Sequence, residues 1–393
     1  MGGHELMLVQ IEYFDNDSLT NLVSILTIKP DKVIFIYDKE TATLKSVQDV
    51  YKACKAHLKN LNYEAFSVDS DDLEEICELT QKIIPQNNEC IIDLTGGGYL
   101  LTIAGYKVGR MNHLPMVYAD IRKNHIINVE TNEILYKTVT ISLKDYLLSK
   151  NASCIGTSNE VPGMKEISQY KAMCEYVFRH KFEWKKTCNH LQRISMHAES
   201  NHISGRKFIE INEQTVHPND EFLENCQKFG LIKNLNISET VEFDYTSLLA
   251  RKYLTTYGIW LELFVYLHAS SLEGVGDVLM GAKIDWNAKD GIDRVGNEID
   301  VILTKNSRPI SISCKFTEPD MAAINEILIN TRRIGGNKGK AVLIAYCDMK
   351  KAETGAFLRA KELGIRVLDR EDILSEDFKE RLQLAIDLGD KRV

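Results

Sequence analysis

The chain has 393 residues, 44% of them hydrophobic and 26% charged, which describes an ordinary soluble protein of two or three domains. No apolar run reaches the roughly 18 residues of a membrane span, and the start "MGGHELMLVQ" lacks the basic and apolar regions of a signal peptide, so a cytoplasmic location without membrane association is expected. The nine cysteines form no CxxC pair, which argues against a disulfide framework or a zinc site. The net charge of −8 gives no support for a polyanionic partner, yet it is unevenly spread. From residue 249 onward 22 basic and 22 acidic residues cancel, so the deficit lies in the first 248 and a local basic cleft remains open to the C-terminal part.

The first 140 residues alternate strand and helix. "KVIFIYD" (32–38), "AFSVD" (65–69), "CIIDLT" (90–95) and "PMVYAD" (115–120) are short apolar runs with polar ends. Between them, Leu44, Val47, Tyr51, Cys54 and Leu58 repeat at helical spacing on one face. Such alternation predicts a parallel sheet covered on both faces, closed by a hairpin over 124–136. Residues 141–248 are less regular. The stretch 149–163 is rich in turn formers and reads as a linker. The segment 221–245 reads as a helix, a turn and two strands of a small α+β, winged-helix-like unit. "RHKFEWKKTCNHLQR" (179–193) is basic with interleaved aromatics, a nucleic-acid contact or, more commonly, a solvated helix face. From 249 to 393 a second α/β pattern runs: a long helix over 248–269, three strands, a helix near 320–333, a strand, then a helix–strand pair.

"CIIDLTGGGYLLTIAGYKVGR" places Thr95, Gly96, Gly97 and Gly98 between a strand and a helix. Glycines let the backbone approach a ligand, and a helix start favours phosphate. The run is neither GxGxxG nor a Walker loop, so a tight turn without ligand is the alternative. Two other strand ends face the same edge of such a sheet: Asp15, Asn16, Ser18 and Asn21 after one strand, Tyr37 and Lys39 after another. Ser18 and Thr20 also suit helix capping. The loop and its context resemble the CARF domain, the CRISPR-associated Rossmann-fold sensor, over roughly residues 5–140. That resemblance implies a homodimer binding a cyclic oligoadenylate through Thr95, Gly96, Gly97 and the neighbouring positions. Gly98 and Tyr99 stand where the family often has a hydroxyl or amide residue and a lysine. Phosphate binding then rests on backbone N–H groups and on Lys39 or Lys107. Gly97→Glu is expected to abolish binding while the fold survives.

In "EIDVILTKNSRPISISCKF" (298–316), strand alternation puts Glu298 and Asp300 on one face, and Ser313 and Lys315 on one face of the next strand. Asp300 and Lys315 then meet over a common ion or water. Asp300 suits Mg²⁺ or Mn²⁺, with the Cys314 carbonyl as a further ligand, and Lys315 suits orienting water and stabilising phosphate charge. Glu262 sits alone in the apolar "IWLELFVYL" (259–267), costly if buried without a partner. A surface Asp–Lys pair, with Glu262 reaching solvent, is the alternative. Together these motifs resemble the PD-(D/E)xK restriction-endonuclease-like fold. More narrowly, the full chain resembles the CARF-fused ancillary nucleases of type III CRISPR systems.

That resemblance implies a nuclease switched on by cyclic tetra-adenylate. It implies cleavage of single-stranded RNA or DNA, or nicking of duplex DNA, with a divalent metal. Ser313 occupies the family's glutamate position, so the catalytic set becomes Asp300, Lys315, Glu262, Glu298 and Ser313, with Glu298 or Glu262 filling the vacancy at the metal. The expected layout is a sensor over 1–140, a linker region over 141–248 and a nuclease domain over 249–393. A ligand-controlled DNA-binding regulator with an inert nuclease-like domain, and an enzyme degrading the cyclic nucleotide, are the rival readings.

Overall fold

The computed structural model describes residues 6–85, 88–157, 161–211, 214–286 and 297–387. Gly296 of the "GNEID" motif and residues 158–160 of the expected linker lie outside them.

Seven strands build the N-terminal sheet: β1 (Leu8–Tyr13), β2 (Lys32–Asp38), β3 (Asn62–Val68), β4 (Glu89–Asp93), β5 (Met116–Asp120), β6 (His125–Asn128) and β7 (Ile134–Lys137). Their spatial order is β3-β2-β1-β4-β5-β6-β7, parallel through β5 and then an antiparallel hairpin. The direction of winding reverses between β1 and β4. In such sheets the crevice beyond the carboxyl ends of those two strands is where ligands bind. The sequence marks the end of β1 but not the strand itself, because two polar residues interrupt its apolar run. Gln10 and Glu12 are nonetheless fully buried. Gln10 Nε2 donates to Glu12 Oε2 at 2.7 Å and to Ser24 Oγ at 2.9 Å, which offsets the cost of burying them.

The expected linker is not all loop. Its residues Ser153–Gly156 form β8, which pairs antiparallel with a C-terminal strand. The small unit that follows carries β9 (His202–Arg206), β10 (Ile209–Ile211), β11 (Gln214–Val216), β12 (Ile232–Ile237) and β13 (Thr240–Tyr245). β12, β13 and β9 make a three-stranded antiparallel sheet flanked by the helices Lys181–Ser195 and Asp220–Lys228. The basic segment 179–193 falls in the first of these helices from Lys181 on, with Arg179 ending the helix before it. Its Trp184, Cys188 and Leu191 are buried while Lys185 and Lys186 are exposed, the amphipathic arrangement of a packed surface helix. The buried side chains of this unit and of the C-terminal domain form one continuous core, from Tyr170 and Phe243 to Trp260 and Ile312.

The C-terminal sheet contains β14 (Val275–Asp285), β15 (Asn297–Lys305), β16 (Arg308–Lys315), β17 (Lys340–Ala345) and β18 (Arg366–Leu368), in the order β18-β17-β16-β15-β14-β8. Asn306 and Ser307 join β15 to β16 with φ of +47° and +63°. A two-residue hairpin turn with positive φ at both positions matches strand twist and fixes register. Lys305 thus faces Arg308 and Val301 faces Ile312, which leaves Asp300 beside Ser313 where the ladder ends. The single helix expected over 248–269 is two, Leu248–Thr255 and Ile259–Ala269. The break at 256–258 sets Glu262 in the first turn of the second helix.

Candidate sensor loop and candidate catalytic cleft

The glycine run lies where the winding reverses. β4 ends at Asp93, and the helix Gly98–Met111 begins without a side-chain cap. Its first N–H groups are therefore not taken by a capping side chain, and a helix start favours an anion. Gly97 and Gly98 have φ of +85° and +77°, a region that side chains rarely adopt. A β-carbon at Gly97 would collide with Tyr13 Cβ, whereas one at Gly98 would meet nothing within 4 Å. Gly97 thus stands against the buried end of β1, not at an open rim, and the expectation that Gly97→Glu spares the fold is corrected. At Gly96 a β-carbon would lie 2.7 Å from Tyr13 O. Tyr99, 93% exposed, projects to solvent.

The other expected contacts divide into braces and open groups. Thr95 Oγ donates to Asp93 and accepts from Ala119 N at 2.8 Å, so its hydroxyl holds the loop to β5. Asn21 is fully buried, and its amide bonds both Asp15 N and Asp15 O at 3.1 Å. Ser18 is buried against Ser149 Oγ at 2.8 Å. Asn16 is exposed and donates to Thr41 O at 2.7 Å. Lys39 pairs with Asp69 at 3.0 Å, Tyr37 packs partly buried on the N-terminal core, and Lys107 is exposed. Beneath the loop lie Glu12 and Asp93, register partners on β1 and β4. Burial first, and Asp93 next, raise the Glu12 carboxyl well above its usual range, while burial raises Asp93.

The same strand end reaches the C-terminal half. Asp17 caps the helix Ser18–Ile28 and packs on Gly336, where a β-carbon would stand 3.3 Å from its carboxyl. Gly336 ends the helix Met321–Gly335. Lys150 Nζ donates to Asn16 O at 2.7 Å, and Tyr146 OH donates to Ser307 O at 3.0 Å across the same junction.

In the C-terminal domain, Asp300 Oδ2 accepts from Cys314 N at 2.7 Å and Ser313 Oγ at 3.2 Å, and Lys315 Nζ stands 3.5 Å away. It is the Cys314 N–H that meets Asp300. These groups open into a cleft of about 250 Å³ that Glu298 also lines. The cleft brings in two residues the sequence pattern did not single out, Glu326 and Asn330, both from the helix Met321–Gly335. The one signal for them was a polar pair four apart in "INEILIN", one turn of helix. Burial works against the Lys315 charge, but Asp300 and, less strongly, Glu326 hold its pKa above the ordinary value. Glu262 is half-buried behind the cleft. Burial, then the Asp300 and Glu298 charges, push its carboxyl up to about 8. Glu298 also approaches Lys283 at 3.8 Å.

The donors are carboxylate and hydroxyl oxygens, which suit a hard divalent cation, and the crowding that raises Glu262 is what such a cation would relieve. Among the described residues no group of three or more His, Cys, Asp or Glu stands close enough together to hold a metal.

A doubly wound domain with an uncapped glycine turn, followed by a mixed sheet carrying an Asp–Lys cleft, makes the chain a Rossmann-like domain fused to an endonuclease-type α/β domain. Residues 11–146 match the Card1 CARF domain and residues 249–384 match the Card1-like endonuclease domain, so the chain carries both domains. Among solved structures it is similar to Can2 from Sulfobacillus thermosulfidooxidans, solved in complex with cyclic tetra-adenylate. The TM-score is 0.70 at 20% identity, covering 95% of this chain and 97% of that one. It is also similar to protein VC1899 from Vibrio cholerae, with a TM-score of 0.74 at 16% identity over 96% and 97% of the two chains. No curated protein matches in sequence. No helix among the described residues is long and apolar enough to cross a membrane.

Proposed function

We propose that the chain is an endonuclease of type III CRISPR defence, activated by a cyclic oligoadenylate and dependent on Mg²⁺ or Mn²⁺. The observation that carries this reading is the union of the two matched domains with Asp300, Ser313 and Lys315 gathered at one cleft. Cyclic tetra-adenylate is the activator of choice, because Can2, of the same fold over nearly the whole chain, was solved with it. The backbone N–H groups of Gly97, Gly98 and Tyr99 receive its phosphate, and the Asp15–Asn16 loop borders the crevice.

The chain acts as a homodimer, since a cyclic tetra-adenylate offers two equivalent halves. Tyr99, Ile103 and Tyr106, on one face of the helix Gly98–Met111, are 93%, 50% and 45% exposed and give a second copy an apolar stripe.

In the cleft, Asp300 would hold the divalent ion together with a carboxylate borrowed from Glu326, Glu298 or Glu262. Such an ion would lower the pKa of a bound water and neutralise phosphate charge. Lys315 orients the attacking water and stabilises the charge that develops on the scissile phosphate. Ser313 holds Asp300 in place through its hydrogen bond. Single-stranded RNA or DNA, or duplex DNA open to nicking, are the substrates. Ligand binding shifts the dimer from a state with its nuclease domains misaligned to one with them aligned.

One incubation series tests the reading. Labelled single-stranded RNA, single-stranded DNA and supercoiled plasmid are mixed with the protein and Mg²⁺ or Mn²⁺, with and without each cyclic oligoadenylate. Cleavage that needs both metal and ligand is expected. Binding of ligand with no cleavage of any substrate gives the regulator reading instead. Loss of the ligand alone gives the degrading-enzyme reading.

A further inference from the structure

Glu12 and Asp93 face each other in register at the carboxyl ends of β1 and β4, directly beneath the glycine loop. Both side chains are fully buried. Glu12 Oε2 accepts from Gln10 Nε2 at 2.7 Å. Asp93 Oδ1 accepts from Thr95 N at 2.7 Å and from Thr95 Oγ, and the Ser24 hydroxyl also bonds Asp93. The remaining oxygens, Glu12 Oε1 and Asp93 Oδ2, are buried and meet no N–H or O–H donor among the described residues. The two carboxyl groups stand within hydrogen-bond reach of each other.

Two carboxylates in contact out of water repel each other, and a buried acceptor without a donor adds to the cost. One proton removes both costs. Carried on Glu12 Oε1, it donates to Asp93 Oδ2, and each orphan oxygen gains its partner. Asp93 suits the charged role because it already accepts from Thr95 and Ser24, whereas Glu12 accepts from Gln10. The surroundings favour keeping the proton. Asp15 adds a further negative charge near Glu12. The Cys54 thiol, on the helix Leu44–His57, acts with Glu12 and is itself pushed up by burial. Asp145, which also acts on Cys54, is paired with His57 at 2.7 Å.

We infer that Glu12 and Asp93 share one proton at neutral pH, and that the pair positions the glycine loop. The route is short. Asp93 holds the Thr95 N–H and hydroxyl, Thr95 Oγ accepts from Ala119 N at 2.8 Å, and Gly96 and Gly97 follow directly. Loss of the proton would set two like charges beneath a loop whose N–H groups are proposed to receive phosphate. That consequence rests on the cyclic-oligoadenylate reading, whereas the shared proton does not.

The test uses the full-length chain. Glu12→Gln keeps both bonds without a titrating proton, since its amide offers an oxygen to Gln10 and an N–H to Asp93. Glu12→Met fills similar space with no donor. Infrared spectra near neutral pH should show a protonated-carboxyl band in the parent that Glu12→Gln lacks. A proton kept only by the folded pair makes the folding constant fall about tenfold per pH unit, from the unfolded values of about 4 up to the pair's own raised value. Between about pH 6 and about pH 8, urea melts should therefore show the parent losing roughly a hundredfold more than Glu12→Gln. Calorimetry should find cyclic tetra-adenylate bound by Glu12→Gln within about twofold of the parent and by Glu12→Met about tenfold more weakly. An unchanged band with equal pH slopes in parent and Glu12→Gln overturns the shared proton. So does stabilisation of the parent, but not of Glu12→Gln, by added Na⁺ or Mg²⁺, which would make a cation the counter-charge. Parental ligand affinity in folded Glu12→Met overturns the positioning role. A parent that binds no cyclic oligoadenylate removes the proposed function, while the band and the pH slopes still decide the proton.

Discussion

Ser313 Oγ lies 3.2 Å from Asp300 Oδ2, so the serine two residues before Lys315 is a hydrogen-bond donor to the aspartate proposed to hold the metal. A neutral hydroxyl is a weak metal ligand. Here it bonds Asp300, and the proposed metal site would draw its further charge from carboxylates on other elements. Ser313→Ala is therefore expected to keep cleavage within roughly threefold of the parent and to cost about 1 kcal/mol of stability. Glu326→Gln is expected to lose roughly tenfold or more, with a raised metal requirement. Glu298→Gln and Glu262→Gln complete the series. Cleavage rate against Mn²⁺ concentration decides it. Full activity in Glu326→Gln with loss in Glu262→Gln or Glu298→Gln would move the borrowed carboxylate.

Asp300→Asn and Lys315→Ala should each lower metal-dependent cleavage by roughly a hundredfold or more. Affinity for the cyclic oligoadenylate should stay as in the parent, because the sensor loop is on a separate sheet. Cleavage assays paired with calorimetry read both. Parental cleavage by either variant, with ligand present, places the chemistry elsewhere.

At the glycine loop the informative position is Gly98. A β-carbon there meets nothing within 4 Å, and the φ of +77° carries a cost of about 1 kcal/mol. Gly98→Glu should fold, bind no cyclic tetra-adenylate and show no ligand-dependent cleavage. Gly97→Glu should lose stability as well, because of Tyr13. Circular dichroism melts separate the two, and normal ligand affinity in folded Gly98→Glu would remove the loop from the site.

Asp17 predicts a pH effect. Burial, then the neighbouring Asp15 charge, push its carboxyl up to about 6, against opposing pulls from Lys150 and Lys338. A carboxyl raised by folding favours the folded state when protonated. Its contribution is full below the unfolded value of about 4 and is lost as pH rises through about 6. Asp17→Asn keeps an oxygen for the helix cap and should flatten the stability profile between those limits. At neutral pH it should gain at most on the order of 2 kcal/mol. Urea melts across that window test it, and an unchanged profile would remove Asp17 as its source.

Much of the fold was legible because parallel strands buried on both faces are near-continuous apolar runs, as in "KVIFIYD". β1 was hidden by Gln10 and Glu12, whose burial depends on Ser24 and on each other. The helix over 248–269 read as one because its apolar pattern crosses the break at 256–258. β8 read as linker because its partner β14 is remote in sequence. In the cleft, Asp300 and Lys315 were readable from strand alternation. Glu326 was not, since only tertiary packing brings its helix over the strands. Thr95 and Asn21 read as ligand contacts because residue type alone does not tell a brace from a binding group.

The core shared by the small unit and the C-terminal domain bears on how the chain can be divided. A fragment starting at residue 249 would strip Tyr170, Trp184 and Phe243 from Tyr253 and Trp260, and would also remove the edge strand β8. The fresh surface would be aromatic and the exposed sheet edge unpaired, both invitations to aggregation. A cut near residue 150 would instead fall at Lys150 and Asn151, after the helix Leu143–Ser149, and keep β8 and the shared core, parting only Leu143 and Leu147 from Ile284 and Ile302. The catalytic half is thus a unit of about 240 residues rather than about 140. Its part before residue 249 serves as the wall against which the helix of Glu262 is packed.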